Sequence, residues 1–168
     1  MVRIELLNAR HCRDGFDCGE PALNDFLLRQ AGQQQRRGFG KTYVAVSEVG
    51  ASVLGFVTVS AGQVATNKLP AHLKLPRYPV PMLRIGRLAV SRTHQGQGIG
   101  QDLLAFALNL ALEFSHRVGL YAVVVDAKNE KAGAFYAGLG FQACEDNPLC
   151  LYMPVAVLER ATRPNSTG

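Results

Sequence analysis

A glycine-rich segment between an apolar strand and an apolar helix constrains the fold of this chain more than any other feature. Met82 to Val90 predicts a strand, and Gly98 to Phe114 predicts a helix with apolar side chains on one side. Between them, Gly96, Gly98 and Gly100 leave backbone N–H groups unshielded where the helix begins. Such a loop suits a phosphate or pyrophosphate, although turns and helix caps use glycine too. The glycine order differs from G-x-G-x-x-G, and no P-loop Lys-Ser/Thr pair follows.

A second informative block lies farther along the chain. Tyr121 to Val125 is a near-continuous apolar run, which is typical of a strand covered on both faces. Glu130 to Leu139 predicts a helix, and Gly140 suits the C′ position that ends it. The block reads Asn129-x-x-x-x-x-Phe135-Tyr136-x-x-x-Gly140-Phe141.

The remaining segments predict a single domain at residues 1–160 and a flexible tail at 161–168. A helix is expected to begin at Glu20 or Pro21, and the patch Gln33-Gln-Gln-Arg-Arg-Gly-Phe-Gly40 is expected to end it in a flexible, basic connection. The segment from Asn67 to Pro81 carries four prolines and predicts an ordered loop. Further strands are predicted at Arg3–Leu7, Lys41–Ser47, Val53–Ala61, around Phe141 and at Leu149–Met153.

Composition narrows the class of protein. The chain has 168 residues and a net charge of +5, and it contains no apolar run long enough to span a membrane. Its N-terminus has no apolar signal segment, so we expect a soluble cytoplasmic protein. The four cysteines form no C-x-x-C pair, so no metal site is predicted.

The distribution of charge suggests an anionic partner. No acidic residue lies between Glu48 and Asp102, and a second basic group follows Asp25. Two basic segments with few acids attract a polyanion such as nucleic acid if they share a face. The alternatives are that part of this charge binds the phosphates of a coenzyme and that part of it belongs to an ordinary solvated surface. The basic residues are Lys68, Lys74, Arg77, Arg84, Arg87 and Arg92 in the acid-free stretch, and Arg29, Arg36, Arg37 and Lys41 in the second group.

Together the two motif blocks resemble the GCN5-related N-acetyltransferase (GNAT) superfamily, in which Q/R-x-x-G-x-G/A holds the pyrophosphate of acetyl-CoA. The resemblance implies an α/β (α+β) fold with a mixed, largely antiparallel sheet of six to seven strands and roughly four helices. From Phe16 to Pro154 the chain is similar to the GNAT toxins of bacterial toxin–antitoxin pairs. That similarity rests on Phe16-Asp17-Cys18-Gly19, Leu23-Asn24-Asp25-Phe26-Leu27, Leu75-Pro76-Arg77-Tyr78-Pro79-Val80-Pro81, Gly86-Arg87-Leu88-Ala89-Val90 and Val124-Val125-Asp126-Ala127-Lys128.

The resemblance also implies site residues. The backbone of the strand end is expected to pair with the pantetheine arm, and the N–H near Val90 to polarise the acetyl carbonyl. Asn129 stands where relatives often carry Asp, which leaves its role open. The cofactor-binding residues are therefore expected to be Leu88, Ala89, Val90, Gln95, Gly96, Gln97, Gly98, Ile99, Gly100, Asn129, Phe135 and Tyr136.

Acetyl transfer from a thioester to an amine requires a neutral amine and a proton for the departing thiolate. Tyr136 suits the role of general acid, because a phenol with pKa ~10 stays protonated at neutral pH. The alternative is that Tyr136 only packs between helix and sheet. An α-amine with pKa ~7.7 is about one-sixth neutral at pH 7, whereas a lysine side chain is almost wholly protonated. The absence of a carboxylate near the central strand therefore favours an α-amine acceptor.

The resemblance implies that the acceptor is aminoacyl-tRNA, that a ribbon-helix-helix antitoxin inhibits the enzyme, and that the enzyme is a homodimer. Arg36, Arg37, Arg77 and Arg87 are the expected tRNA-binding residues, although Arg87 alternatively pairs with an acid. Leu151 to Pro154 belongs either to a dimer interface or to an ordinary closing strand. Acetylation of protein N-termini or of small amines remains an alternative, as does a non-catalytic acetyl-CoA-binding module.

Overall fold

The computed structural model describes residues 2–162, which form an α/β fold with the predicted mixed, largely antiparallel sheet. Along the sheet the order is β1-β2-β3-β4-β5-β7-β6. No helix in this part of the chain is long and apolar enough to cross a membrane. The strands are β1 (Val2–Leu6), β2 (Lys41–Ser47), β3 (Val53–Val64), β4 (Val80–Val90), β5 (Ala122–Asp126), β6 (Gln142–Cys144) and β7 (Asn147–Pro154). The α-helices are α1 (Pro21–Asp25), α2 (Ala31–Arg36), α3 (Ile99–Ser115), α4 (Glu130–Gly138) and α5 (Val155–Thr162).

The chain divides into two compact units. The first contains the residues up to Ser60 together with Ile85–Ala107, and the second contains Ala61–Arg84 and the residues from Leu108 onward. Strands β3 and β4 and helix α3 have residues in both units. The prediction of one domain at residues 1–160 stays a prediction.

In the first unit, β2 pairs antiparallel with β1 and with β3, so the two predicted strands at Lys41–Ser47 and Val53–Ala61 form a hairpin. The pairing with β3 shifts register between Ala45 and Val46. Buried residues of these strands pack against residues 21–36, here called the first helical segment, which contributes Phe26 and Leu27 to the cluster. Burial of a large apolar side chain stabilises the fold by about 1.5–3 kcal/mol, so this cluster holds the first helical segment in place.

The first helical segment is longer than predicted. Helix α1 begins at Pro21, which suits a first helical position because proline has no N–H to satisfy there. A π-helical turn, Phe26–Gln30, connects it to α2, which ends at Arg36. The glutamine run is therefore helical rather than part of the connection. The helical spacing of apolar residues is hard to recognise in this segment because the π turn rotates the apolar face partway along the helix.

In the second unit, β7 pairs antiparallel with β5 and with β6. Leu151, Tyr152 and Met153 of β7 are buried within the chain, which favours a closing strand over a dimer interface. The proline-rich segment contains two short 3₁₀ turns, Thr66–Lys68 and Ala71–Leu73, and its last two residues already belong to β4. The expectation of an ordered loop is therefore wrong only at its C-terminal end, where Val80 and Pro81 belong to the strand.

Helix α5 was not expected from the sequence. Val155 and Leu158 are buried from one face of it, and Ala161 and Thr162 form its end. These two residues are therefore helical, contrary to the predicted tail. The rest of that tail, residues 163–168, lies outside the described residues.

Candidate active site

The glycine loop after β4 has the geometry of an anion cradle. Gly96 and Gly98 have φ of +82° and +85°, a left-handed conformation that side chains disfavour. A Cβ at either position would meet no atom within 4 Å, so open space lies above the loop. Helix α3 begins at Ile99, and the first N–H groups of a helix have no partner within the helix. The loop thus presents free donors and a positive helix dipole, which suit a pyrophosphate.

Gln95 closes this loop from one side. Its side-chain amide donates hydrogen bonds to the carbonyl oxygens of Val90 (3.0 Å) and Cys18 (3.3 Å). The amide group therefore fixes the loop, and the expected role of Gln95 in binding the cofactor stays a prediction. Gln97 is exposed at the tip of the loop, and Ile99 is buried beneath it.

Hydrogen bonds from the segment around Asp17 support the same glycine loop. The Arg92 N–H donates to the Asp17 carbonyl (2.8 Å), and the Asp17 carboxylate accepts from Gly19 N–H and from the Asn24 side chain. Asn24 Oδ1 in turn accepts from Cys18 N–H (2.8 Å). The hydrogen bonds from Gly19 and Asn24 to the carboxylate lower the pKa of Asp17, the bond from Gly19 being the largest cause. The toxin-like block near the N-terminus is therefore part of the support of the glycine loop.

The end of β4 lies close to β3 because of a glycine. A Cβ at Gly55 would lie 2.9 Å from the Ala89 carbonyl oxygen and 3.0 Å from a methyl group of Leu103. Only a residue without a side chain permits this approach of strand and helix. Sequence reasoning missed Gly55, although an isolated glycine inside a strand pattern is the usual signal. Leu88 and Val90 on either side of Ala89 are half-buried.

In the second unit, Asn129 begins helix α4. Its side-chain oxygen accepts a hydrogen bond from the Ala132 N–H (2.9 Å), which makes it the N-cap residue. Asparagine and aspartate cap helices equally well, so this capping position accepts either residue. The expected role of Asn129 in orienting the cofactor stays a prediction.

Tyr136 lies in a buried aromatic group on α4. Its ring contacts Phe135 and Phe141 edge-on, with centroid distances of 5.3 and 5.8 Å, and only 5% of the residue is exposed. Burial raises the pKa of Tyr136 to about 12. The phenol therefore keeps its proton throughout the neutral range, as a general acid must before it acts. Gly140 has φ of +103° and ends the helix as predicted.

The basic residues expected to bind tRNA occupy different surroundings. Arg36 and Arg37 are exposed at the end of α2, and Arg77 is exposed in the proline-rich segment. The Arg87 guanidinium lies 3.8 Å from the centre of the Phe26 ring, and desolvation lowers its pKa. Its structural partner is therefore an aromatic ring rather than the acid considered above.

The predicted site residues are divided between the two units. Residues 88–100 lie at the end of β4, in the glycine loop and at the start of α3, whereas Asn129, Phe135 and Tyr136 lie on α4 or at its N-cap. Arg36 and Arg37 are at the end of α2, and Arg77 is in the proline-rich segment. The first unit contains Leu88, Ala89, Val90, Gln95, Gly96, Gln97, Gly98, Ile99, Gly100, Arg36, Arg37 and Arg87, and the second contains Asn129, Phe135, Tyr136 and Arg77.

Comparison with known proteins agrees with this arrangement. The family described as "Acetyltransferase (GNAT) domain" matches residues 38–143. A tRNA-acetylating toxin of Mycobacterium tuberculosis (strain ATCC 25618 / H37Rv) is 33% identical over 140 residues, which are 82% of this chain and 82% of that protein.

Solved structures match over almost the whole length. AtaT complexed with acetyl-methionyl-tRNAfMet has a TM-score of 0.90 at 34% identity, covering 97% of this chain and 100% of that one. A mutant AtaT toxin bound to the C-terminus of the antitoxin AtaR and acetyl-CoA has a TM-score of 0.84 at 32% identity, covering 96% and 99%. The chain therefore belongs to the GNAT acetyltransferase family, and tRNA-acetylating toxins are among its relatives.

Proposed function

We propose that this protein is a toxin-type N-acetyltransferase that transfers the acetyl group of acetyl-CoA to the α-amine of aminoacyl-tRNA and thereby blocks translation. The observation that carries this proposal is the similarity to AtaT, whose structure contains acetyl-methionyl-tRNA, over 97% of this chain. The acid-free stretch from residue 49 to residue 101 adds independent support, because a polyanionic acceptor suits a surface without carboxylates.

The glycine loop fits the pyrophosphate of acetyl-CoA. The open space above Gly96 and Gly98 leaves room for phosphate oxygens, and the first N–H groups of α3 donate to them. The backbone of Leu88, Ala89 and Val90 would pair with the pantetheine arm. When bound, acetyl-CoA supplies an acetyl group activated as a thioester.

Tyr136 is the residue that we assign as general acid. The incoming amine loses one proton as its nitrogen bonds to the acetyl carbon, and the departing sulfur gains one as the carbon–sulfur bond breaks. The Tyr136 hydroxyl would donate its proton to that sulfur, and the proton released by the amine would pass to solvent, from which the phenol is protonated again. Because burial raises the pKa of Tyr136 to about 12, the phenol is fully protonated before each turnover.

The acceptor is an α-amine on this proposal. Such an amine is already about one-sixth neutral at pH 7, so it needs less help from a general base than a lysine side chain does. The absence of acidic residues along β4 and the glycine loop is consistent with this acceptor. A small polycationic acceptor, in contrast, would favour an acidic pocket.

The partners and location follow from the same proposal. A ribbon-helix-helix antitoxin binds and inhibits the enzyme, as an antitoxin binds AtaT in the solved complex. The enzyme acts as a homodimer in the cytoplasm, where charged tRNA is found. A gel-filtration measurement of the purified protein tests the dimer.

The decisive experiment incubates the purified protein with radiolabelled acetyl-CoA and charged total tRNA. Uncharged tRNA and free amino acids serve as controls. Label that appears only on charged tRNA, and that mild alkali removes with the ester, supports the proposal. Label on a protein N-terminus or a small amine instead, with none on charged tRNA, contradicts it.

The Tyr136→Phe variant tests the assigned acid in the same assay. It keeps the buried ring, so we expect acetyl-CoA binding close to wild type in calorimetry. Loss of one positioned general acid typically slows transfer by about 10²–10⁴-fold. A transfer rate equal to wild type would exclude Tyr136 as the proton donor.

A further inference from the structure

The connection after helix α2 holds an exposed aromatic side chain in a rigid backbone. Gly38 has φ of +81°, and its N–H donates to the Gln35 carbonyl at 3.2 Å. The Phe39 N–H donates to the Gln34 carbonyl at 3.0 Å. These two bonds form a Schellman motif, in which an apolar residue at the position of Phe39 usually packs on the preceding helical turn. Here that turn carries Gln33 and Gln34, and Phe39 remains 62% exposed.

The same helix end is anchored to the sheet. The Gln35 side chain donates to the Leu7 carbonyl and accepts from the Thr42 N–H, each at 2.9 Å. Phe39 therefore projects from a fixed backbone and not from a loose loop. An exposed aromatic ring held in this way forms a ready surface for stacking.

One cation lies over this ring and two more converge on the same helix. The Arg37 guanidinium lies 4.9 Å from the centre of the Phe39 ring. A Cβ at Gly32, one turn before Arg36, would lie 3.3 Å from Arg36 Nη1 and 3.6 Å from Arg13 Nη1, so two guanidinium groups converge on one spot. Arg13 is held there by a hydrogen bond to the Leu27 carbonyl (3.2 Å).

Carboxylates are missing from the segment that contains Arg36, Arg37 and Phe39. No Asp or Glu lies between Asp25 and Glu48. Asp25 itself pairs with Arg29, at 3.2 Å between Oδ1 and Nε. Arginines at the C-terminal end of a helix also interact favourably with the helix dipole, and this effect is enough to explain the positive charge of Arg36 and Arg37. That effect accounts neither for Arg13, which comes from a different segment, nor for the exposed ring.

We propose that Arg13, Arg36, Arg37 and Phe39, here called the basic-aromatic corner, bind one unpaired nucleotide of the RNA substrate. The Arg13 and Arg36 guanidinium groups hold its phosphate, and its base stacks on Phe39 beside Arg37. A paired base is hidden inside its helix, so the corner selects single-stranded over duplex RNA. The proposal relies on the proposed function only for the identity of the RNA as charged tRNA.

Fluorescence anisotropy with labelled RNA tests the corner directly. The probes are a single-stranded RNA of about eight nucleotides and a blunt duplex of the same length. Stacking of one base contributes enough that Phe39→Leu is expected to weaken single-strand binding by about 5- to 100-fold, with little effect on the duplex. Phe39→Tyr keeps the ring and should keep the affinity. Phe114→Leu, which changes another exposed phenylalanine, is the matched control and should bind both probes like wild type.

Arg36→Gln tests the phosphate contact. It should weaken binding of both probes and reduce the slope of log affinity against log salt by about one. Single-strand binding by Phe39→Leu that equals wild type overturns the proposal. So does a variant that binds RNA normally but has lost affinity for the purified cognate antitoxin, because the corner would then be a protein-binding surface.

Acetylation of charged tRNA by the same variants separates this proposal from the proposed function. If wild type acetylates charged tRNA and Phe39→Leu shows a raised KM for it, the corner binds substrate. If wild type acetylates charged tRNA and Phe39→Leu has the same KM, the corner is excluded while the proposed function stands. If wild type acetylates no charged tRNA, the proposed function fails and the anisotropy result alone decides whether the corner binds RNA.

Discussion

The close approach at Gly55 predicts that one added methyl group will damage the cofactor site from a distance. In Gly55→Ala the new Cβ would lie 2.9 Å from the Ala89 carbonyl oxygen, 3.0 Å from Leu103 and 3.3 Å from Ile99. The first contact is with backbone, which cannot rotate away as a side chain can. Overpacking of this kind costs about 1–3 kcal/mol, and the conformational gain of replacing glycine offsets only about 0.5–1 kcal/mol. The end of β4, which we propose pairs with the pantetheine arm, must therefore shift.

Gly86→Ala is the matched control, because Gly86 lies on the same strand as Ala89 and a Cβ there would meet no atom within 4 Å. Replacing a glycine in a strand also recovers about 0.5–1 kcal/mol of conformational entropy. The chain has no tryptophan, so urea unfolding is best followed by circular dichroism, with acetyl-CoA affinity from calorimetry. We expect Gly55→Ala to lower the urea midpoint by about 1 M and to weaken acetyl-CoA binding, and Gly86→Ala to do neither. Equal behaviour of the two variants would refute this reasoning.

Two pKa shifts predict how the protein responds to pH. Burial raises the pKa of Tyr136 from 10.0 to about 12, so the folded state keeps this proton longer than the unfolded state. Its contribution to stability is complete below pH 10 and falls, by about 2–3 kcal/mol in total, as pH rises toward 12. Ultraviolet titration of wild type against Tyr136→Phe should show this tyrosinate last, and its appearance near pH 10 would contradict the burial. At the acid end, a hydrogen bond from His11 Nε2 (2.7 Å) lowers the pKa of Glu5 below 4.5. The stability that the Glu5 carboxylate contributes is therefore present above pH 4.5 and is lost as the pH falls through the lowered pKa. Glu5→Gln should therefore lower the unfolding temperature at neutral pH and lose this effect in strong acid; an equal difference at both pH values would show that Glu5 does not act through its charge.

Much of the fold could be predicted from local patterns. Alternating and continuous apolar runs located the strands, and Pro21 marked the start of the first helix, because these signals depend on neighbouring residues. Helix α5 escaped detection because eight residues following a proline carry too little periodicity. The continuation of the first helical segment through Arg36 escaped because a π turn interrupts its 3.6-residue period.

The candidate site shows the same difference between features set by neighbouring residues and features set by distant ones. The glycine positions and Tyr136 were identified from sequence, since the backbone conformation of the loop and the chemistry of a phenol belong to the residues themselves. The contacts of Gly55 and Arg87 were not, because each depends on an element distant in sequence. Asn129 was named from the sequence, but its capping role is seen only once the start of α4 is known.

The support of the glycine loop explains why the combination of motifs is more informative than any one of them. A loop with several glycines loses much conformational entropy when it becomes ordered, so bonds to the rest of the fold must offset that cost. Gln95 and Arg92 supply them by bonding the Cys18 and Asp17 carbonyls, and Asn24 fixes the turn that presents those carbonyls. The block near the N-terminus and the glycine loop are thus one structural device assembled from two distant segments. A glycine pattern alone indicates a flexible turn as readily as a binding loop, whereas a glycine pattern with its support indicates a loop that is already in shape to receive a pyrophosphate.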